Sequence, residues 1–328
     1  MKNIAIIGSG SWGTALSIHL GKMGHSVKMW SYSKEEADLI NNERKCKFLP
    51  KVAIPDGIVC TTDLGESVQG SEIVLMVTPS RVVRETTAKL KEYLTDQQIL
   101  MCSKGIEKDT LYTLNEVLEE ELPGFKIGAL TGPSHAEEVS IGNPTAIVVA
   151  SEHEDLLENI QKSFSNENLR IYKSKDIKGA ELGGALKTVI AFCASVSVGL
   201  KLGDNAFLAV ITRGLHEMAM IAEKMGACKD TIYGLTGLGD LLASCLSEHS
   251  RNRRAGILVG EGMNIDEVRR EVGMVIEGID NIEAAYALSK AYDVEMPIIS
   301  GVYDVLYNDK SVKEVAAALM TRELKYED

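Results

Sequence analysis

Lys187 stands in Glu181-Leu-Gly-Gly-Ala-Leu-Lys187-Thr-Val-Ile-Ala-Phe192, a stretch whose apolar residues read as a buried helix. An ammonium group buried there has its pKa drawn from about 10.4 toward neutrality, the range in which one lysine can both give and take a proton. Lys104, in Met101-Cys-Ser-Lys104-Gly-Ile-Glu107, follows directly on a strand-like run, where ligands of parallel sheets bind. Asp240, in Gly237-Leu-Gly-Asp240-Leu-Leu, can accept a hydrogen bond from Lys187 or from a substrate hydroxyl. Plainer readings stand beside these: a snorkelling lysine at 187, a solvated loop lysine at 104, and a helix cap at 240. Gly183 and Gly184 favour the chemical reading. Each costs up to about 1 kcal/mol against alanine in a helix interior, which is easiest to explain where a backbone or a ligand must come close.

Two further stretches are built for anions. The first strand-like run ends in Gly8-Ser9-Gly10-Ser11-Trp12-Gly13 and passes at once into a helical pattern. Gly8 permits the tight turn, Gly10 lets backbone approach a pyrophosphate, and Gly13 allows close packing of helix on strand. Strand, motif and helix in this order predict a dinucleotide site. In Glu248-His249-Ser250-Arg251-Asn252-Arg253-Arg254, Ser250 has the character of an N-cap, so free amides and a guanidinium form a local anion trap. A solvated basic patch is the alternative. After the second strand, Trp30-Ser31-Tyr32-Ser33-Lys34-Glu35 offers neither an acid where a ribose 2′-hydroxyl wants one nor an arginine for a 2′-phosphate. Ser31, Ser33 and Lys34 can bind a phosphate loosely. The choice between NAD and NADP is therefore open at this stage.

The elements that must hold these residues divide in two. Up to about Ser174, β-branched runs at Ile4 to Ile7, Ser26 to Trp30, Ile73 to Val77, Ile99 to Cys102 and Ile127 to Leu130 alternate with helical stretches. That alternation predicts an α/β Rossmann unit with a doubly wound, mostly parallel sheet, extended by Thr145 to Ala150 and Leu169 to Tyr172. From Ile177 the period-3.6 pattern is almost unbroken, with helices expected over Ile177 to Val198, Asn205 to Met225, Arg251 to Gly260, Gly278 to Tyr292 and Pro297 to Tyr307. The expected division is 1–176 for dinucleotide binding and 177–328 as an all-helical substrate-binding and catalytic unit. The 328 residues are about twice the usual domain length. A formal charge of −12 argues against a general nucleic-acid binder. The longest run free of charge, Thr188 to Leu200, is too short to span a bilayer. Six scattered cysteines without metal-ligand spacing predict no metal site and a cytoplasmic protein with reduced thiols.

GSGSWGTAL, CSKGIE, TGPSHAEE, ELGGALK, ITRGL, GLTGLGDL, HSRNRR and VIEG stand in an order and spacing that resemble the NAD(P)-dependent glycerol-3-phosphate dehydrogenases, bacterial members above all, along essentially the whole chain. The resemblance implies a homodimer that interconverts sn-glycerol 3-phosphate and dihydroxyacetone phosphate for phospholipid synthesis, in a cleft between the two units. It carries cofactor contacts onto Ser11, Trp12, Lys104, Ala136, Arg251, Val275 and Glu277. Substrate contacts fall on Lys104, Gly132, Ser134, Lys187, Asp240, Ser250, Arg251 and Asn252, with Lys187 exchanging the proton. Three departures stand out: Ser33 replaces a basic residue, Val198 an aspartate, and Phe207 a small or basic residue. The last two border a loop expected at the cleft. A related dehydrogenase of another small hydroxy compound, and a paralogue that binds dinucleotide with little catalysis, are the competing readings.

Overall fold

The computed structural model describes residues 1–324 and 326–327. Its strands are β1 (Asn3–Ile7), β2 (Ser26–Trp30), β3 (Val59–Thr61), β4 (Ile73–Met76), β5 (Gln98–Met101), β6 (Ile127–Thr131), β7 (Thr145–Ala150) and β8 (Leu169–Ser174). They form one sheet in the order β3-β2-β1-β4-β5-β6-β7-β8. All pairings are parallel except β6 with β7. The sequence predicts seven of the eight strands; β3, three residues long, is the one it misses. β4 reads Ile-Val-Leu-Met and is buried along its length, as a strand covered on both faces must be.

The strand order reverses between β1 and β4, the point at which sheets of this kind open a crevice. Register sharpens this. Ile7 stands level with Trp30 and Met76, and Met76 with Met101, so the loops that follow β1, β2, β4 and β5 leave the sheet from one edge. Helix α1 (Ser11–Lys22) follows β1 and helix α2 (Lys34–Glu43) follows β2.

Every described element from Ile177 onward is helical. Ile177–Gly199 is the centre of this half: it is apolar on all sides and buried along nearly its whole length. The helices Asp204–Lys224, Asp240–Leu246 and Arg251–Gly260 and the turn Glu277–Asp280 all pack on it. Length and composition would suit it to crossing a membrane, but 89% of its apolar window is buried inside the protein. Contact with Arg251–Gly260 is backbone to backbone. A Cβ on Gly256 would lie 2.3 Å from the Phe192 carbonyl oxygen, and one on Gly260 2.3 Å from that of Val196. The helix predicted over Gly278 to Tyr292 is interrupted at Asn281, whose buried amide donates to Thr188 Oγ1 at 3.2 Å.

Two buried carboxyl groups of this half anchor other elements to it, one across the halves and one within. Glu181, on the central helix, accepts from the Asn115 amide at 2.9 and 3.1 Å and so docks the first turn of Leu114–Glu121. Glu217 accepts from the amides of Ile298 (2.8 Å) and Ile299 (3.3 Å), opening Pro297–Tyr307. Free amides at a helix start favour such oxygens. Burial pushes both carboxyls up to about 8, with those same hydrogen bonds opposing it.

Candidate active site

Between the carboxyl edge of the sheet and the helical half lies a cleft of about 1570 Å³. A site for one small ligand is typically about 300–1,000 Å³, so this cleft has room for a dinucleotide and a second molecule. Its two ends differ in chemistry.

At the sheet end the glycine-rich turn has the shape its sequence predicts. A Cβ on Gly8, whose φ is +131°, would meet the Val77 carbonyl oxygen at 2.7 Å. One on Gly13 would meet the Gly8 carbonyl oxygen at 2.1 Å. Nothing lies within 4 Å of a Cβ on Gly10, so that backbone faces open cleft. Helix α1 starts at Ser11 without a side-chain cap or an acidic residue in its first turn, which leaves its amides for an anion. Ser11 and Trp12 line the cleft beside them. Thr78 Oγ1, buried in the wall after β4, has no hydrogen-bond partner among the described residues. A Cβ-free cradle and a waiting hydroxyl fit a dinucleotide.

The end of β2 brings a correction. Sequence reading finds no acid here, yet Glu36 turns back from the first turn of α2 and lines the cleft. Its Oε2 lies 2.7 Å from Ser9 Oγ and 3.3 Å from Ser31 Oγ, and the two hydroxyls are 2.8 Å apart. Ser33 lines the same wall, where it caps α2 by accepting from the Glu36 amide at 3.3 Å. A carboxylate from a helix, and not from the strand end, thus lies against the glycine-rich turn.

In the middle of the cleft three predicted side chains meet. Lys187 is 5% exposed, and its Nζ donates to Asp240 Oδ1 at 2.8 Å and to Ser244 Oγ at 2.6 Å. Lys104 Nζ donates to the other oxygen of Asp240 and, at 3.4 Å, to the Gly132 carbonyl. Asp240 therefore bridges a lysine from the loop after β5 and a lysine from the central helix. It spends both oxygens on them and caps nothing, since its helix begins behind Gly239 without a side-chain cap. Burial pulls Lys187 down to about 8; the Asp240 carboxylate opposes this and the charge of Lys104 adds to it. For Asp240 burial acts upward, but the two ammonium groups together hold it below the usual carboxylate range.

The two glycines before Lys187 serve different neighbours. A Cβ on Gly184 would lie 3.0 Å from Thr131 Oγ1 and 3.6 Å from the Lys104 stem, which is the approach to the sheet that the sequence predicts. One on Gly183 would lie 2.9 Å from the Thr236 carbonyl oxygen, so this glycine makes room for the turn Leu235–Gly239 that delivers Asp240.

At the far end Ser250 caps Arg251–Gly260, accepting from the Arg253 amide at 3.2 Å, and no acid stands in the first turn. Arg251 Nη1 donates to the Val275 carbonyl at 2.8 Å, and Asn252 Oδ1 accepts from the Gly278 amide at 2.8 Å. Ser250, Arg251, Asn252, Val275 and Glu277 all line the cleft, and Glu277 lies close enough for its charge to act on Lys187. Arg254 turns away to Glu271 (2.7 Å), and of Arg251, Arg253 and Arg254 only Arg251 lines the wall. Arg269 and Arg270 also line it, unanticipated because they stand on a different helix. Ser134 and Ala136 line the opposite side, while Gly132 sits behind Lys104. His135 links its loop to the Ala243 carbonyl at 3.2 Å. Val198 and Phe207 lie outside the cleft wall, the first exposed and the second against the helical core. No residue of the loop between them, expected at the cleft, lines it.

The family description NAD-dependent glycerol-3-phosphate dehydrogenase N-terminus matches residues 3–157, and the corresponding C-terminus matches 176–317. Glycerol-3-phosphate dehydrogenase [NAD(P)+] of Agathobacter rectalis is 45% identical over all of this chain and 98% of its own length. The protein of the same name from Fusobacterium nucleatum is 45% identical over all of this chain and 99% of its own. A crystal structure of glycerol-3-phosphate dehydrogenase from Coxiella burnetii superposes with a TM-score of 0.95 at 35% identity, covering 98% of this chain and 99% of that one. With a dinucleotide cradle, a lysine pair bridged by a buried aspartate and matches along both halves, the chain belongs to the NAD-dependent glycerol-3-phosphate dehydrogenase family.

Proposed function

We propose that the cleft interconverts dihydroxyacetone phosphate and sn-glycerol 3-phosphate, with NAD(P)(H) along the glycine-rich turn and the substrate across the Lys104, Asp240 and Lys187 bridge. When bound, the reduced nicotinamide supplies the hydride that adds to the carbonyl carbon. The carbonyl π pair moves to oxygen, and Lys187 delivers the proton there. In the reverse direction Lys187 takes that proton back as the hydride leaves carbon. A lysine drawn down to about 8 is suited to both roles near neutral pH. Lys104 fixes Asp240 and presents a positive charge to the oxygen on which negative charge develops. Arg251 retains donors beyond the one given to Val275; with the open amides after Ser250 it supports binding of the substrate phosphate.

The observation that carries this reading is the Asp240 bridge between the buried Lys187 and the half-buried Lys104, opening onto a dinucleotide-sized cleft. Following NADH and NADPH absorbance with dihydroxyacetone phosphate tests it directly: oxidation of neither overturns the proposal. Lys187→Ala is expected to lower turnover by about 10²–10⁴-fold while cofactor affinity, measured by Trp fluorescence, stays within about twofold. Undiminished turnover in that variant removes Lys187 from its role.

The same reading takes residues 1–176 as the dinucleotide-binding unit and 177–328 as the catalytic unit, supported by the end of the sheet at Ser174. We further read the chain as a cytoplasmic homodimer; free cysteines, five of the six buried, support the compartment. Light scattering on the purified protein tests the dimer.

A further inference from the structure

We infer that Glu36 sets the cofactor preference of this chain, favouring NAD(H) over NADP(H) by holding a carboxylate where a 2′-phosphate would have to lie. The inference rests on the reading of the sheet end as a dinucleotide site. Three observations carry it. Glu36 is half-buried and lines the cleft beside Gly8 to Gly13. Its Oε2 is held by Ser9, inside the glycine-rich turn, and by Ser31, at the end of β2. Both serines are buried, so the carboxylate is fixed against the turn and does not swing in solvent. Oε1 accepts no hydrogen bond among the described residues and remains for a ribose hydroxyl.

A ribose with free 2′- and 3′-hydroxyls donates to such a carboxylate. A 2′-phosphate cannot donate in its ionised form and brings like charge into a partly desolvated wall. No described lysine or arginine pairs with Glu36; of the cations lining the cleft, Lys89 is taken by Glu85 at 2.5 Å and Lys47 lies over the Phe48 ring. The amides of α2 do not offset this, because Glu35 and Glu36 already occupy its first turn and Ser33 caps it. Ser33, the position where a basic residue was expected, thus also fixes the helix start that aims Glu36.

Trp12 and Trp30, the two tryptophans of the chain, both line the cleft, so fluorescence titration reports binding without turnover. NADH is expected to bind at least about tenfold more tightly than NADPH, and Glu36→Gln to narrow that ratio by about tenfold, chiefly by tightening NADPH. ADP against its 2′-phosphorylated counterpart, titrated in both proteins, should show the same change without the nicotinamide. A wild-type ratio near one, or a ratio that Glu36→Gln leaves unmoved in both pairs, overturns the assignment while the dinucleotide site stands. Binding of no cofactor at all overturns both. Glu36→Asp, which keeps the charge, is expected to retain the NADH preference, and loss of preference there equally counts against a charge mechanism.

Discussion

At the scale of single residues, the bridge through Asp240 makes the proton of Lys187 the one that governs the rate. Reduction requires the protonated lysine, so its kcat should fall as pH rises through about 8. Oxidation requires the neutral amine, so its kcat should rise through the same range. Asp240→Asn removes a charge that raises the lysine pKa. It should therefore shift both inflections to lower pH, and pH profiles in the two directions that shift together upward, or stay in place, contradict the bridge. The charged pair was legible in part. Lys187 stood out because a buried helix has no ordinary use for an ammonium group, and Lys104 because it follows a strand closely. That one carboxylate joins them was not legible, since 136 residues of chain separate Lys104 from Asp240.

At the scale of elements, the central helix and the turn before Asp240 are fitted to each other by missing side chains. Alanine at Gly183 gains about 1 kcal/mol of helix propensity, but its Cβ would press on the backbone of Thr236 and Gly237 at 2.9 and 3.2 Å, which cannot yield as a side-chain tip can. Overpacking of that kind costs about 1–3 kcal/mol. Gly183→Ala should accordingly lower Tm and turnover together. Gly184→Ala faces a hydroxyl and a lysine stem and should lower turnover with a smaller change in Tm. Thermal melts and steady-state rates separate the two, and equal effects would contradict the division of labour. Helices and strands with strong periodicity were readable from the residues alone. Three features were not: β3 has too few residues for a pattern, β7 and β8 run against the other six strands, which residue patterns do not encode, and Glu36 reaches the turn from a helix although the motif points to the strand end.

At the scale of the molecule, Glu181 and Glu217 connect distant elements through carboxyls that burial raises to about 8. In the unfolded chain such groups titrate near 4.5, so between about 4.5 and 8 the folded protein retains protons the unfolded chain has lost. Each group therefore subtracts stability as pH rises across that window, at up to about 1.4 kcal/mol per pH unit. Glu217→Gln should flatten the fall in stability from pH 5 to 8 relative to the unaltered protein, as read from urea midpoints, and an unchanged slope would show that the carboxyl is ionised in the fold. The central helix has a different consequence, one of timing. Most of its covering helices, from Asp204 to Tyr307, follow it in the chain. On the ribosome this long apolar segment therefore emerges well before most of what buries it. Until Arg251–Gly260 arrives, the flank around Phe192 and Val196 is an open apolar surface of the kind that chaperones hold, so the arrangement that shelters the reactive lysine at maturity exposes the chain most during its synthesis.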